Sequence, residues 1–177
     1  MVETRNRSND GSRNGSSNSH RDKSFLAVWA PIPLRLIVGI GFMLHGYAKL
    51  AKGPESFAHV LQLLGVPSPH LMSWITILIE LLCGLAVVLG TLIPLVSLPM
   101  ATVLLVAMVT VHMPYGFSSI KLKDVVNGEP QFGKPGYECD LLYIACLASL
   151  LATGSGPLSI DALLSKRRSA GRTTPKI

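Results

Sequence analysis

Residues 71–89 read LMSWITILIELLCGLAVVL, an apolar run interrupted near its middle by one carboxylate, Glu80. A bilayer core holds no water, so a carboxylate there is costly unless it is paired, protonated or facing a wet cavity. The run extends over about 70–90, and three others accompany it, over about 33–52, 95–113 and 137–152. A helix of roughly 20 residues crosses a typical hydrocarbon core, and each run is near that length, the last being the shortest. The expected fold class is all-α, a four-helix transmembrane bundle with a polar interior. Between the first two spans, Phe57, Val60, Leu61 and Leu64 recur at helical spacing between Gly53-Pro54 and Gly65-Val66-Pro67. That segment is too short to span, and it reads as a short amphipathic or re-entrant helix at the outer surface.

Composition agrees. Of 177 residues, 49% are hydrophobic and 15% charged, with mean hydropathy +0.43. A soluble domain carries about 25% charge. The net charge of +6 and pI near 9.5 do not indicate nucleic acid, because the basic residues crowd at the two ends. Arg5, Arg7, Arg13, Arg21 and Lys23 lie near the start; Lys166, Arg167, Arg168, Arg172 and Lys176 lie near the end. Basic flanks of this kind fix topology and touch anionic lipid, so both termini are expected in the cytoplasm and the chain in the inner membrane. The organisation expected is a disordered cytoplasmic tail over 1–24, a transmembrane domain over 25–165 and a basic cytoplasmic tail over 166–177. The first two dozen residues contain no apolar stretch and are not read as a signal peptide.

The other ionisable residues in or beside the runs are the candidates for function. On the first helix, Arg35, Gly39, Phe42, His45 or Gly46, and Lys49 fall on one stripe. His45, Lys49, Glu80, His112 and Glu138 all belong to the outer half of the expected bundle. They are the candidates for a ligand or proton-relay site. The plainer reading is that Glu80 pairs with Lys49 or His45 and sets helix register. Arg35, near the cytoplasmic end, is expected to be a charge anchor. No residue is assigned a catalytic role, and the spacing shows no metal site, phosphate-binding loop or nucleophile elbow. Cys83 and Cys146 lie in apolar runs and read as packing residues; Cys139 lies at a span edge. The stretch 114–138, rich in Gly and Pro, reads as an external loop with little periodicity. After the fourth run, Asp161 is placed to cap a short helix over 162–165.

These residues resemble the DoxX family in order. Arg35-Leu-Ile-Val-Gly39 and Phe42-Met-Leu-His45-Gly46-Tyr-Ala-Lys49-Leu50 resemble its first helix, and Glu80-Leu-Leu-Cys-Gly84-Leu-Ala-Val-Val-Leu-Gly90 its second. His112 with Gly116-Phe117, Gly136-Tyr137-Glu138, and Gly154-Ser-Gly156-Pro157-Leu-Ser159-Ile-Asp161 complete the series, so the resemblance runs from about Arg35 to Asp161. It implies a four-helix inner-membrane protein of bacteria or archaea. Some DoxX relatives are linked to thiosulfate:quinone oxidoreductase, others to membrane complexes handling thiol or oxidative stress.

Three readings stand open on this basis. One is a membrane subunit of an oxidoreductase complex, with quinone as the candidate ligand of the polar set and oxidoreductase subunits as partners. A second is a structural or assembly scaffold without catalysis. A third is a small-solute transporter, which four short helices would form only as a homo-oligomer. Membrane lipid is a partner under all three.

Overall fold

The structure, a computed structural model, describes the backbone of residues 28–172 and side chains as far as residue 167. The tail expected over 1–24 lies outside the described residues, as do residues 173–177 of the basic end. The described chain is mostly helical. In order it forms α1 (Pro31–Lys52), α2 (Pro54–Leu63), α3 (Pro69–Leu89), α4 (Ile93–Tyr115), the strands β1 (Leu122–Val126) and β2 (Glu129–Phe132), α5 (Glu138–Thr153) and α6 (Ile160–Arg172).

Proline and glycine punctuate the series. Helices α1 to α4 each carry a proline in the first turn, where its missing N–H has no helical partner to lose. The breaks after α1 and α3 turn at Gly53 (φ 91°) and Gly90 (φ 64°), angles that a residue without Cβ adopts at little steric cost. Helices α1, α3 and α4 are long and apolar enough to cross a membrane. Helix α5 has 16 residues and packs along α4 and α1. The outward faces are apolar, with Ile37, Leu44, Leu82 and Leu98 among the most exposed side chains. Water would penalise such a belt; hydrocarbon matches it.

Helix α1 organises the packing, because its buried stripe meets both α3 and α5. Where α1 crosses α3, backbone lies on backbone: a Cβ added to Gly39 would fall 2.6 Å from the Gly84 carbonyl oxygen. Small residues at such crossings let helices approach closely enough for dispersion and polar contacts to hold them in lipid. Around this crossing lie Val38, Phe42, Val87, Ile93, Met100, Leu104, Leu147 and Leu150. The Phe42 and Tyr143 rings meet edge to face at 5.7 Å.

Two expectations need correction. The stretch 114–138, read as an external loop with little periodicity, contains a hairpin: β1 and β2 pair antiparallel across Asn127-Gly128, both at positive φ (54° and 82°). An Asn-Gly pair between short extended runs favours that turn, because its twist matches the strands. The all-α expectation is therefore amended by one exposed hairpin. Arg35, expected to be a charge anchor near the cytoplasmic end, is buried. It is 5% exposed, and its guanidinium donates to five backbone carbonyls: Nε to Val87, Nη1 to Ser155 and Pro157, and Nη2 to Val88 and Leu158, at 2.5–3.4 Å. Gly90 leaves room for this clasp, since a Cβ there would lie 2.6 Å from Arg35 Cζ. Asp161 closes the same end by accepting the Leu92 N–H at 3.0 Å. The helix expected over 162–165 is longer, running from Ile160 to Arg172.

Lysine retains the charge of Arg35 but offers a point of three donors instead of a planar fork of five. Arg35→Lys is therefore expected to lower stability by about 2 kcal/mol or more, since buried carbonyls lose their partners. Leu44→Ala, on the exposed face of α1, should change it little. Thermal unfolding of both variants in detergent checks this.

Candidate functional site

The ends of α1 and α4 and the start of α3 lie toward the same side of the bundle, opposite the Arg35 clasp, and the polar candidates gather there. Glu80 is 4% exposed and forms an ion pair with the Lys49 ammonium. Two local features bring them together. Gly46 precedes Lys49 by about one turn, and a Cβ on it would lie 3.0 Å from Glu80 Cβ, so its hydrogen gives α3 room to come in. Residues Ile79–Cys83 form a π-helical turn, a widened turn that is found often at functional positions. The Lys49 ammonium also sits 4.8 Å from the centre of the Phe57 ring on α2, which gives the cation an aromatic face.

The pair is incomplete. Lys49 engages Oε1 of Glu80, while Oε2 is buried with no hydrogen-bond partner. A buried, unpaired carboxylate oxygen in an apolar surrounding costs on the order of 1–3 kcal/mol, more where it carries charge. Such a group is a standing acceptor for a proton or for a donor brought by a ligand.

A second pair lies at the end of α4. His112 closes another π-helical turn, Met108–His112, and its Nδ1 lies 2.6 Å from Oδ2 of Asp140 in the first turn of α5. Asp140 is 5% exposed and His112 partly exposed. A carboxylate at Nδ1 fixes the orientation of the imidazole and leaves Nε2 for exchange with the exterior or a ligand. Asp140 was not among the expected candidates. The signal that could have found it is its spacing: Asp140, Ile144 and Leu147 share one face of α5.

The remaining candidates lie elsewhere. His45 is exposed on the outside of α1, while its neighbour Gly46 occupies the buried stripe. Of the two residues the spacing left open, the glycine faces in, because α3 needs the space. Glu138 accepts the Ser119 N–H through Oε2 at 3.0 Å and so fastens the loop before the hairpin to the start of α5. Among the described residues, no hydrogen bond or ion pair joins Lys49–Glu80 to His112–Asp140, and the expected convergence of all five candidates resolves into separate arrangements. No group of three or more His, Cys, Asp or Glu among the described residues is placed to hold a metal ion. Cys83 and Cys146 are partly buried and Cys139 is exposed; all three are free thiols.

Comparison with known proteins agrees with the anatomy. The DoxX family model matches residues 30–113, which take in α1 to α4 as far as the His112 turn. The match stops before the hairpin and α5, short of the Asp161 to which the motif resemblance extends. No curated protein and no solved structure matches the chain.

Removing one member of a buried pair strands the other. Glu80→Leu is expected to destabilise the protein by about 3–5 kcal/mol, and Glu80→Leu combined with Lys49→Met to recover much of the loss. A double-mutant cycle on chemical unfolding in detergent measures the coupling, and additive effects would show that the two side chains do not act as a pair.

Proposed function

We propose that this chain, whose residues 30–113 match the DoxX family model and whose apolar helices fit an integral membrane protein, serves as a membrane subunit of an oxidoreductase complex, receiving a quinone-type ligand at Glu80 and Lys49. The observation that carries the proposal is the buried Oε2 of Glu80, an acceptor without a partner beside an ammonium donor. In this reading α5 is the fourth, short span and α2 an amphipathic helix on the membrane surface. The basic ends lie in the cytoplasm of an inner-membrane protein, which places both ion pairs toward the outer side.

The residues fit the chemistry of such a ligand. Lys49 donates to a ligand carbonyl or phenolate oxygen, and Glu80 accepts a hydroxyl proton through Oε2. The Phe57 ring lies 4.8 Å from the Lys49 ammonium and offers an apolar, aromatic wall beside the pair. A quinone supplies two-electron chemistry when bound, and the associated oxidoreductase subunit exchanges those electrons. His112, held by Asp140 near the end of α4, is a second titratable group on the same side of the bundle. General acid–base transfer of this kind needs groups held within hydrogen-bond reach, which the two pairs provide at their own positions.

The scaffold reading is favoured by one observation of its own. The Arg35 clasp joins α1, the end of α3 and the chain after α5 without requiring any chemistry at Glu80. Glu80→Gln separates the two readings, since it keeps the shape and a hydrogen bond to Lys49 while removing the proton acceptor. The protein is to be purified gently from native membranes, and its lipid extract and co-purifying proteins assayed. Parent protein should carry quinone and a redox partner, and Glu80→Gln should lose the quinone while melting within a few degrees of the parent. A parent preparation holding neither quinone nor a redox partner ends the redox proposal in favour of the scaffold.

A further inference from the structure

The hairpin that follows α4 carries a cluster that no part of the redox reading uses. Its strands present two unlike faces. Leu122 and Phe132 lie opposite each other on one face, both exposed. On the other, the Gly133 N–H donates to the Lys121 carbonyl at 2.8 Å, and Lys121 and Lys123 flank the place where a side chain of Gly133 would stand. A Cβ there would lie 3.5 Å from Lys123 Cε. The strand register breaks between Leu122 and Asp124, so the irregularity falls at Lys123; such bulges re-aim a side chain.

Lys134 completes the group from the next position along the chain. Its ammonium donates to the Tyr115 hydroxyl at 3.1 Å and lies 5.2 Å from the centre of that ring. Together Lys121, Lys123, Gly133 and Lys134, with Pro114 and Tyr115 from the end of α4, line a cavity of about 350 Å³. That volume is within the range of small-ligand pockets, roughly 300–1,000 Å³.

Three ammonium groups around one cavity repel one another unless anions stand among them. Among the described residues, the nearby carboxylates are engaged elsewhere or lie apart. Asp124 accepts the N–H of Val125, Glu138 accepts that of Ser119, and Glu129 lies at the far end of the hairpin beside the turn. Among the described residues no ion pair involves Lys121, Lys123 or Lys134. Among the described residues the charge of these three lysines is therefore left uncompensated.

We propose that this cavity is a binding site for a phosphate-type oxyanion at the membrane boundary. Lysine is a point-charge phosphate binder, and the Tyr115 hydroxyl adds a neutral polar contact. The cavity adjoins the last turn of an apolar helix, a depth at which lipid phosphates lie. The same chemistry is offered by a soluble phosphorylated molecule. The inference does not rest on the redox reading and survives its failure.

The full-length chain, delipidated in neutral detergent, is to be probed in two ways. Inorganic pyrophosphate is titrated calorimetrically, and mixed micelles containing phosphatidylglycerol or phosphatidylcholine are examined by native mass spectrometry. Saturable binding of pyrophosphate, or retention of phosphatidylglycerol over phosphatidylcholine, is expected; the first identifies a soluble source and the second a lipid headgroup. Lys123→Gln should weaken the binding about tenfold with an unchanged melting temperature, because this exposed side chain holds nothing else. Gly133→Leu should weaken it by filling the floor without altering charge. Failure of both probes to bind, or binding that persists when Lys121, Lys123 and Lys134 are all glutamine, overturns the proposal.

Discussion

The five hydrogen bonds of the Arg35 guanidinium hold together three segments distant in the chain: α1, the end of α3, and residues 155–158 after α5. Hydrocarbon offers no water to the last carbonyls of a helix or to an irregular segment, so each unsatisfied group there is costly. Arg35 meets that need at one point. Its cation also rests against the negative end of α3, where the helix dipole favours it. The buried charge is tolerable because every donor is used. Gly90, with no Cβ, and Asp161, bonded to the Leu92 N–H, complete the joint. The glycine crossing of α1 on α3 sets how close the helices come, and the clasp fixes where they stop.

The opposite end of the bundle is built on a different principle. There the ionisable groups come in pairs, Lys49 with Glu80 and His112 with Asp140, and each pair has a π-helical turn under one member. A widened turn shifts the residues that follow it around the helix and interrupts the regular bonding. It gives a side chain a position the 3.6-residue period would deny it. The clasp has no donor to spare, whereas the second end retains an unpartnered carboxylate oxygen and an imidazole nitrogen free of its aspartate. Groups left incomplete in this way weaken the fold and are useful for binding.

Much of the fold was legible because bilayer thickness makes one demand, about 20 apolar residues, and three runs meet it plainly. That Glu80 needs a cationic partner was legible for a related reason, although the spacing left Lys49 and His45 both open as that partner. Arg35 was misread because its partners are backbone carbonyls, which carry no side-chain signature; position near a span end suggested lipid instead. His45 was misread because helical spacing alone cannot choose between adjacent residues, and the need of α3 for space chose Gly46. The hairpin had a signal, Asn127-Gly128, but Pro130 and Gly133 nearby suggested an external loop with little periodicity. Neither π-helical turn is marked by residue type, since both depend on how α3 and α4 pack.

The contrast between the two ends bears on where function resides. The motif resemblance extends to Asp161, yet Gly90, Ser159 and Asp161 surround Arg35 and do structural work. The residues of the motif resemblance thus divide between a closed joint at Arg35 and a polar pair at Glu80 with one unpartnered oxygen. The family model's match through residue 113 takes in both halves of the Lys49–Glu80 pair but only one half of His112–Asp140. The first pair can be read from α1 and α3 alone, while the second depends on α5. Glu80 is accordingly the stronger candidate for chemistry: its burial, its unshared oxygen and its widened turn are properties of the matched segment itself, and they need no help from the hairpin or the final helices.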